Sequence, residues 1–355
     1  MRAALYHGRG DIRIEDVRDP VPGAGELLLE IHAVGICGTD AFEYVHGPKQ
    51  YALDRGPLIP GHEFAGRVVA VGPGTAPFDV GTLVASGAGI SCGECFQCHA
   101  GRTNLCIHYA TVGLQRDGAL AQLCAVPAAT CLDVEPYGLD EEVAALAQPM
   151  AIGVHAMRRG APLPGDDVVV IGCGGIGAFL TFAACRAGAR VTVVEQSTER
   201  LQLAVALGAA DAIAPVEGVP LRTQLDERLV RARVIYEVTG SEQGLSEAFD
   251  ATIPGGRVVA VGVQREPRPV DLRRLTLLEV ELVGTQAHVC AADLPEALRL
   301  LAARGGSWED VAPAVLPLSE LVSGGIGPMT EGASTRVKTL IDPWAGAPRS
   351  RSEKR

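Results

Sequence analysis

The sequence predicts an α/β protein of two domains: a doubly wound parallel sheet in mid-chain and a β-rich domain assembled from both ends. Three observations predict it. The β-branched run Asp167-Val-Val-Val-Ile171 leads into Gly172-Cys173-Gly174-Gly175-Ile176-Gly177 and then into a helix-forming stretch, Ala178 to Arg186. Strand and helix patterns alternate from there to Gly284, as a parallel sheet with crossover helices requires. Upstream, short apolar runs are bounded by Gly and Pro, and no helix-period stretch of any length occurs before Leu139. The β-rich domain is expected over 1–150 and 286–355, and the doubly wound domain over 151–285.

Composition narrows the class. The chain has 355 residues, of which 47% are hydrophobic and 21% charged, enough for a substantial core. Its net charge is −11, and no basic block occurs before the short tail Arg349 to Arg355. Nucleic acid and anionic membrane surfaces are therefore poor partners. Residues Met1 to Asp11 are charged and carry no secretory signal. Val168 to Cys185 is uncharged and long enough to imitate a membrane span, but its glycines have a better explanation below. A soluble, cytoplasmic protein is expected. Ten cysteines in such a setting point to metal ligands and buried thiols rather than disulfides.

In the first segment, Glu26 to His32 and Gly66 to Gly72 read as strands. The polar chemistry lies between and beyond them. Cys37, His62 and Glu63 offer a thiolate, an imidazole and a carboxylate, and Pro60-Gly61 supplies the turn that lets adjacent residues share one point. Three such ligands with an open position suit a catalytic zinc, although singly each is more often structural or solvated.

Next come Cys92, Cys95, Cys98 and Cys106, at spacings that suit a closed four-thiolate structural zinc in a lobe over about 88–110. Gly93 and Gly101 allow the tight turns required. Free redox-active thiols or an iron–sulfur site are the alternatives. His99 and His108 are surplus to the four.

In the middle segment the glycine fingerprint sits between strand and helix, with Glu195 about 20 residues on at the end of Arg190-Val-Thr-Val-Val194. Gly172 turns the chain, Gly174 and Gly175 with Ile176 form the phosphate-facing loop, and Gly177 lets helix and strand pack closely. Glu195 would accept from the adenosine ribose hydroxyls. Its neighbour Gln196 is not basic, so NAD is favoured over NADP, with Arg200 the one basic residue that keeps NADP open. Further helices are expected at Thr198–Gly208, Leu221–Val230 and Ser241–Thr252, and strands at Ala210–Ala214, Arg233–Val238, Gly256–Gly262 and Val280–Gly284.

In the last segment, Asp293 to Arg304 reads as a helix and Arg336 to Asp342 as a strand returning to the first domain. Lys338 on that strand is assigned to the cofactor.

These elements, in this order, resemble the zinc-dependent medium-chain dehydrogenase/reductase family along nearly the whole chain. The resemblance rests on Gly35-Ile-Cys37-Gly-Thr39-Asp40, Gly61-His62-Glu63-Phe-Ala-Gly66, Cys92 to Cys106, and Gln148-Pro149 to Ala156. Within the family Cys37 to Pro48 and Gly61 to Gly66 look most like 2,3-butanediol and polyol (sorbitol) dehydrogenases, with threonine dehydrogenases sharing much of the same pattern. The resemblance implies a Rossmann nucleotide domain and a GroES-like catalytic domain. It implies two zinc ions, catalytic and structural, and a homo-oligomer, dimer or tetramer. Cys37 and His62 would bind the catalytic zinc, with Glu63 an exchangeable ligand. Asp40 would fix the His62 tautomer. Thr39 would contact the oxygen of a small alcohol or ketone and carry its proton away.

Two positions depart from the family pattern. Gln148 stands where polyol dehydrogenases usually carry Glu. Without that second carboxylate, zinc with Cys37 and Glu63 is neutral and should be the stronger Lewis acid. Phe42 stands where relatives often carry a proton-relaying His, so the relay must differ. His46 and Glu43 are near it in sequence. The expected activity is reversible, NAD-dependent oxidation of a secondary alcohol, diol or polyol. A sugar or cyclitol dehydrogenase and a non-catalytic NAD-binding sensor are the alternatives.

Overall fold

A computed structural model of the chain describes residues 1–351 apart from 55, 76–77, 306 and 332–335. The chain divides into two compact units, Met1–Ala151 with His288–Arg355, and Ile152–Ala287.

The second unit is built on a six-stranded parallel sheet. Its spatial order is Asp211–Ile213, Arg190–Val194, Asp167–Ile171, Val234–Glu237, Arg257–Ala260 and Glu281–Gly284. All five residues of Asp167–Ile171 are buried, which is why that strand reads as a continuous apolar run rather than an alternation. Sequence order reverses between Asp167–Ile171 and Val234–Glu237, and a crevice for ligands opens at such a switch point. The uncharged stretch 168–185 is this strand, the glycine turn and the helix Gly177–Arg186. No helix among the described residues is long and apolar enough to cross a membrane.

Side chains set the helix starts. Ser197, Ser241 and Asp271 accept from the backbone N–H of Arg200, Gly244 and Arg274. The helix expected to reach Val230 stops at Glu227, because Leu229 adopts φ +58. A further helix, Leu272–Leu278, was not expected.

In the first unit, eight strands form the main sheet. Glu26–Gly35 lies near its centre, flanked by Glu63–Val71 on one side and Leu340–Asp342 on the other. The core beneath is apolar, with Leu27, Leu29, Ile31, Phe64 and Val68 fully buried. The expected strand 336–342 is shorter, Leu340–Asp342, though Thr339 C=O still accepts from Ile36 N–H at 3.0 Å. The expected helix at Asp293 begins at Cys290, since the Asp293 carboxylate reaches back to Val289 N–H at 2.7 Å.

One expectation fails outright. Gly38–His46 is a nine-residue helix well before Leu139. Its buried residues are Asp40, Ala41 and Glu43. Two of the three inward-facing side chains are carboxylates, so the apolar periodicity that marks a helix is missing.

The doubly wound sheet carries one pH-sensitive anchor. Asp167 accepts from the Arg190 side chain and from Arg231 N–H at 2.8 Å. Burial raises its pKa, but the Arg190 and Arg231 hydrogen bonds outweigh it and hold the carboxyl below its usual value. A folded pKa below the unfolded one stabilises above the unfolded value and is lost as pH falls through the folded value. Asp167→Asn should therefore cost about 1–3 kcal/mol at neutral pH. In urea unfolding the gap from wild type should narrow as pH falls below the usual carboxylate range.

Candidate active site and metal centres

Register builds the first cluster. Gly35, the last residue of its strand, pairs with Glu63 on one side and Leu340 on the other. Cys37 therefore lies just past one strand end, Glu63 opens the next, and Lys338 precedes the third. Two glycines make the space. A Cβ on Gly35 would stand 2.5 Å from the Glu63 carboxylate, and Gly61 has φ +99, where a Cβ would press on Leu120 N at 2.8 Å. Cys37 Sγ, a His62 ring nitrogen and a Glu63 oxygen come within 4.8 Å of one another.

The cluster is buried and anionic. His62, Glu63 and Asp40 are at most 5% exposed. Asp40 Oδ2 accepts from Cys37 N–H at 2.8 Å, and its Oδ1 faces His62 Nδ1 at 3.8 Å. That is the expected partner on the expected nitrogen, but beyond hydrogen-bond length. His62 Nδ1 has no hydrogen-bond partner. Burial opposes charging His62, yet the negative charge of Cys37 and Asp40 pushes its pKa up to about 9. A site that pulls a proton onto a buried imidazole is one short of positive charge. Thiolate, imidazole and carboxylate converging there fit a zinc ion.

Lys338, assigned from sequence to the cofactor, places its ammonium 2.5 Å from both Glu63 oxygens. Burial favours the neutral amine, but Glu63 and Cys37 keep it charged, with its pKa raised. Gln148, in the first turn of Ala147–Gly160, is 5% exposed, and its carbonyl oxygen is a buried acceptor with no partner. Thr39 is half-buried in the first turn of Gly38–His46. Phe42 packs on the His46 ring at 4.5 Å. Glu43 is no relay: its carboxylate accepts from the backbone N–H of Lys49, Gln50 and Tyr51.

The second cluster is Cys92, Cys95, Cys98 and Cys106, whose sulfurs lie within 4.8 Å of one another. Cys95–Cys98 and Cys92–Cys106 are each 3.5 Å apart. Gly93 and Gly101 adopt φ +77 and +73. Backbone N–H groups of Cys92 and His108 point at Cys106 Sγ, both at 3.3 Å, and those of Ile107 and Cys98 draw Cys95 down to about 6. Burial and the neighbouring Cys95 push Cys98 up to about 11, so the four sulfurs do not all favour the thiolate on their own; their convergence on one point is what fits a structural zinc. His99 and His108 are exposed.

The glycines of the fingerprint sit in different surroundings. Gly172 turns the chain at φ +97, and a Cβ on Gly177 would stand 1.9 Å from Gly172 C=O. A Cβ on Gly174 would meet no protein atom, so what that glycine leaves open is the approach of a ligand. No side chain caps the helix Gly177–Arg186, and its bare N–H groups suit a pyrophosphate. Glu195 Oε2 accepts from Cys173 N–H at 2.8 Å, while Oε1 accepts from Gln196 and Ser197 N–H. The carboxylate therefore stands beside the glycine turn.

Comparison with known proteins agrees with this geometry. Residues 23–136 match the alcohol dehydrogenase GroES-like domain, and 175–303 match the zinc-binding dehydrogenase domain. This chain belongs to the zinc-dependent medium-chain dehydrogenase/reductase family. It is 32% identical to 2-dehydro-3-deoxy-L-galactonate 5-dehydrogenase of Pseudoalteromonas atlantica, covering 91% of this chain and 94% of that one. Among solved structures, 2R,3R-butanediol dehydrogenase of Bacillus subtilis superposes with TM-score 0.88 at 28% identity, covering 96% and 99%. An Escherichia coli CFT073 protein described as a short chain alcohol dehydrogenase complexed with cofactor NADH superposes with TM-score 0.87 at 25% identity, covering 96% and 99%. As a member of this family, the chain is an oxidoreductase acting on CH–OH groups.

The Lys338–Glu63 pair, together with Tyr51 and Glu43, had no signal in the sequence. Partners 275 residues apart share no local pattern. Removing the cation leaves a buried carboxylate unpaired, so Lys338→Ala should destabilise by about 3–5 kcal/mol. The double variant Lys338→Met/Glu63→Leu should recover most of that loss. Denaturant unfolding of both checks the claim.

Proposed function

We propose that this dehydrogenase oxidises a secondary alcohol of a small diol or polyol with NAD, reversibly. The convergence of Cys37, His62 and Glu63 carries this reading. When bound, zinc supplies a Lewis acid that makes an alcohol easier to deprotonate, and NAD accepts the hydride. In this reading Cys37 and His62 hold the metal, and Glu63 exchanges between it and Lys338. Asp40 orients His62. Thr39 relays the substrate proton, its hydroxyl accepting that proton as it hands its own to water. Glu195, with no basic neighbour at Gln196, favours NAD. A sugar-acid substrate is the second reading, supported by the likeness to a galactonate dehydrogenase over 91% of the chain.

We also infer a homo-oligomer. Glu281–Gly284 is an edge strand whose Leu282 is exposed, and Leu272 and Leu277 on the preceding helix are 69% and 62% exposed. Apolar side chains at a sheet edge support association.

A panel of diols, polyols, sugar acids and their ketones, run with NAD and NADP on protein of measured zinc content, tests the activity. Two zincs per chain and turnover with NAD are expected; His62→Ala should lose one zinc and at least about a thousandfold in kcat/KM. No turnover by protein carrying two zincs would sink the enzyme reading. Gln148→Glu adds a negative charge that opposes loss of the substrate proton. The acid limb of its pH–rate profile should move up by about one unit.

A further inference from the structure

We propose that Tyr51 is a positioning residue for the metal centre: its hydroxyl, 2.6 Å from Asp40 Oδ1, holds the carboxylate that faces the His62 ring. This rests on the reading that Cys37 and His62 bind zinc.

Asp40 is held at both oxygens. Oδ2 takes the Cys37 backbone N–H, and Oδ1 takes the Tyr51 hydroxyl while facing His62 Nδ1. Asp40, Tyr51 and His62 are 1%, 5% and 5% exposed, so these contacts act in a poorly screened interior. Tyr51 is itself fixed from two sides. Its backbone N–H donates to the fully buried Glu43, which also holds Lys49 and Gln50. Its ring meets Tyr6 edge-on, with centroids 4.8 Å apart, and the Tyr6 hydroxyl donates to Glu43 C=O at 2.9 Å. Asp40 and Glu43 lie three residues apart on one helix, so the side chain that receives Tyr51 and the side chain that anchors its loop move together.

The arrangement has a chemical consequence. Burial first, then the charge of Asp40, hold the Tyr51 phenol protonated well beyond the usual range, so it is a permanent donor. A carboxylate oxygen whose charge is drawn towards a phenol polarises less strongly the imidazole it faces at 3.8 Å. His62 then passes less electron density to the metal, and the metal stays the stronger Lewis acid.

The test compares wild-type, Tyr51→Phe and Tyr6→Phe chains, each zinc-loaded and each also prepared with cobalt(II) in the catalytic site. Phe keeps the ring and its packing. Tyr51→Phe should lower kcat/KM by about 10–100-fold, raise the acid limb of the pH–rate profile by about half a unit or more, and shift the cobalt d–d bands. Tyr6→Phe, which deletes the neighbouring hydroxyl that donates to Glu43 C=O without touching Asp40, should do none of these. In an Asp40→Asn background, adding Tyr51→Phe should leave the cobalt spectrum unchanged, which tests the route even if the single Tyr51 variant folds poorly. Unshifted bands and an unshifted limb in Tyr51→Phe, an equal shift in Tyr6→Phe, or a further shift in the Asp40→Asn background would overturn the proposal. A wild-type chain that binds only the four-cysteine metal overturns the metal-site reading on which it rests.

Discussion

Buried negative charge is the constraint that organises the β-rich unit. Cys37, Asp40, Glu43 and Glu63 meet around the strand end at Gly35, and the three carboxylates among them are at most 1% exposed. Buried carboxylates without partners cost several kcal/mol each. The fold answers each one differently. Glu43 is satisfied by three backbone N–H groups, and Asp40 by one N–H and one phenol. Glu63 receives the ammonium of Lys338. Only Cys37 and His62 are left with their demand for charge unmet, which the upward pull on the His62 pKa registers. A divalent cation at that point closes the account.

Topology follows from the same demand. Lys338 reaches Glu63 only because the chain, after completing the second unit, returns and lays Leu340–Asp342 beside Glu26–Gly35. Gly35 must lack a side chain, since a Cβ there would stand in the space of the Glu63 carboxylate. Gly61 must turn at positive φ so that His62 and Glu63 leave a tight bend against Leu120. Glycines that read in sequence as punctuation are, in three dimensions, the volume reserved for a charged cluster.

How much of this was legible depended on whether the information was local. The glycine fingerprint with Glu195 is a contiguous unit in which each residue answers to its immediate backbone, so its parts could be assigned singly. The four cysteines have few geometries open to them at their spacing. The helix Gly38–His46 was illegible because its buried face is carboxylate, and periodicity registers only apolar faces. Lys338 was noticed and assigned to the cofactor, but its contact with Glu63 was illegible: nothing in a linear reading names a carboxylate 275 positions away. The pairing of Tyr51 with Asp40 lay eleven residues apart, in a loop without periodicity.

The same contacts narrow the path of the substrate proton. The helix carrying Thr39 has acids on its inner face, and these might have formed a relay in place of the histidine that Phe42 replaces. They cannot. Both Glu43 oxygens are taken by backbone N–H groups, the Tyr51 phenol is held protonated, and Asp40 is engaged at both oxygens. The Phe42 ring packs against the His46 imidazole at a tilt of 42°, centroids 4.5 Å apart. Thr39 is half-buried in the first turn of the same helix. A proton relay along the inner face of this helix is therefore closed. The buried acids hold the metal's ligands in place and do not conduct.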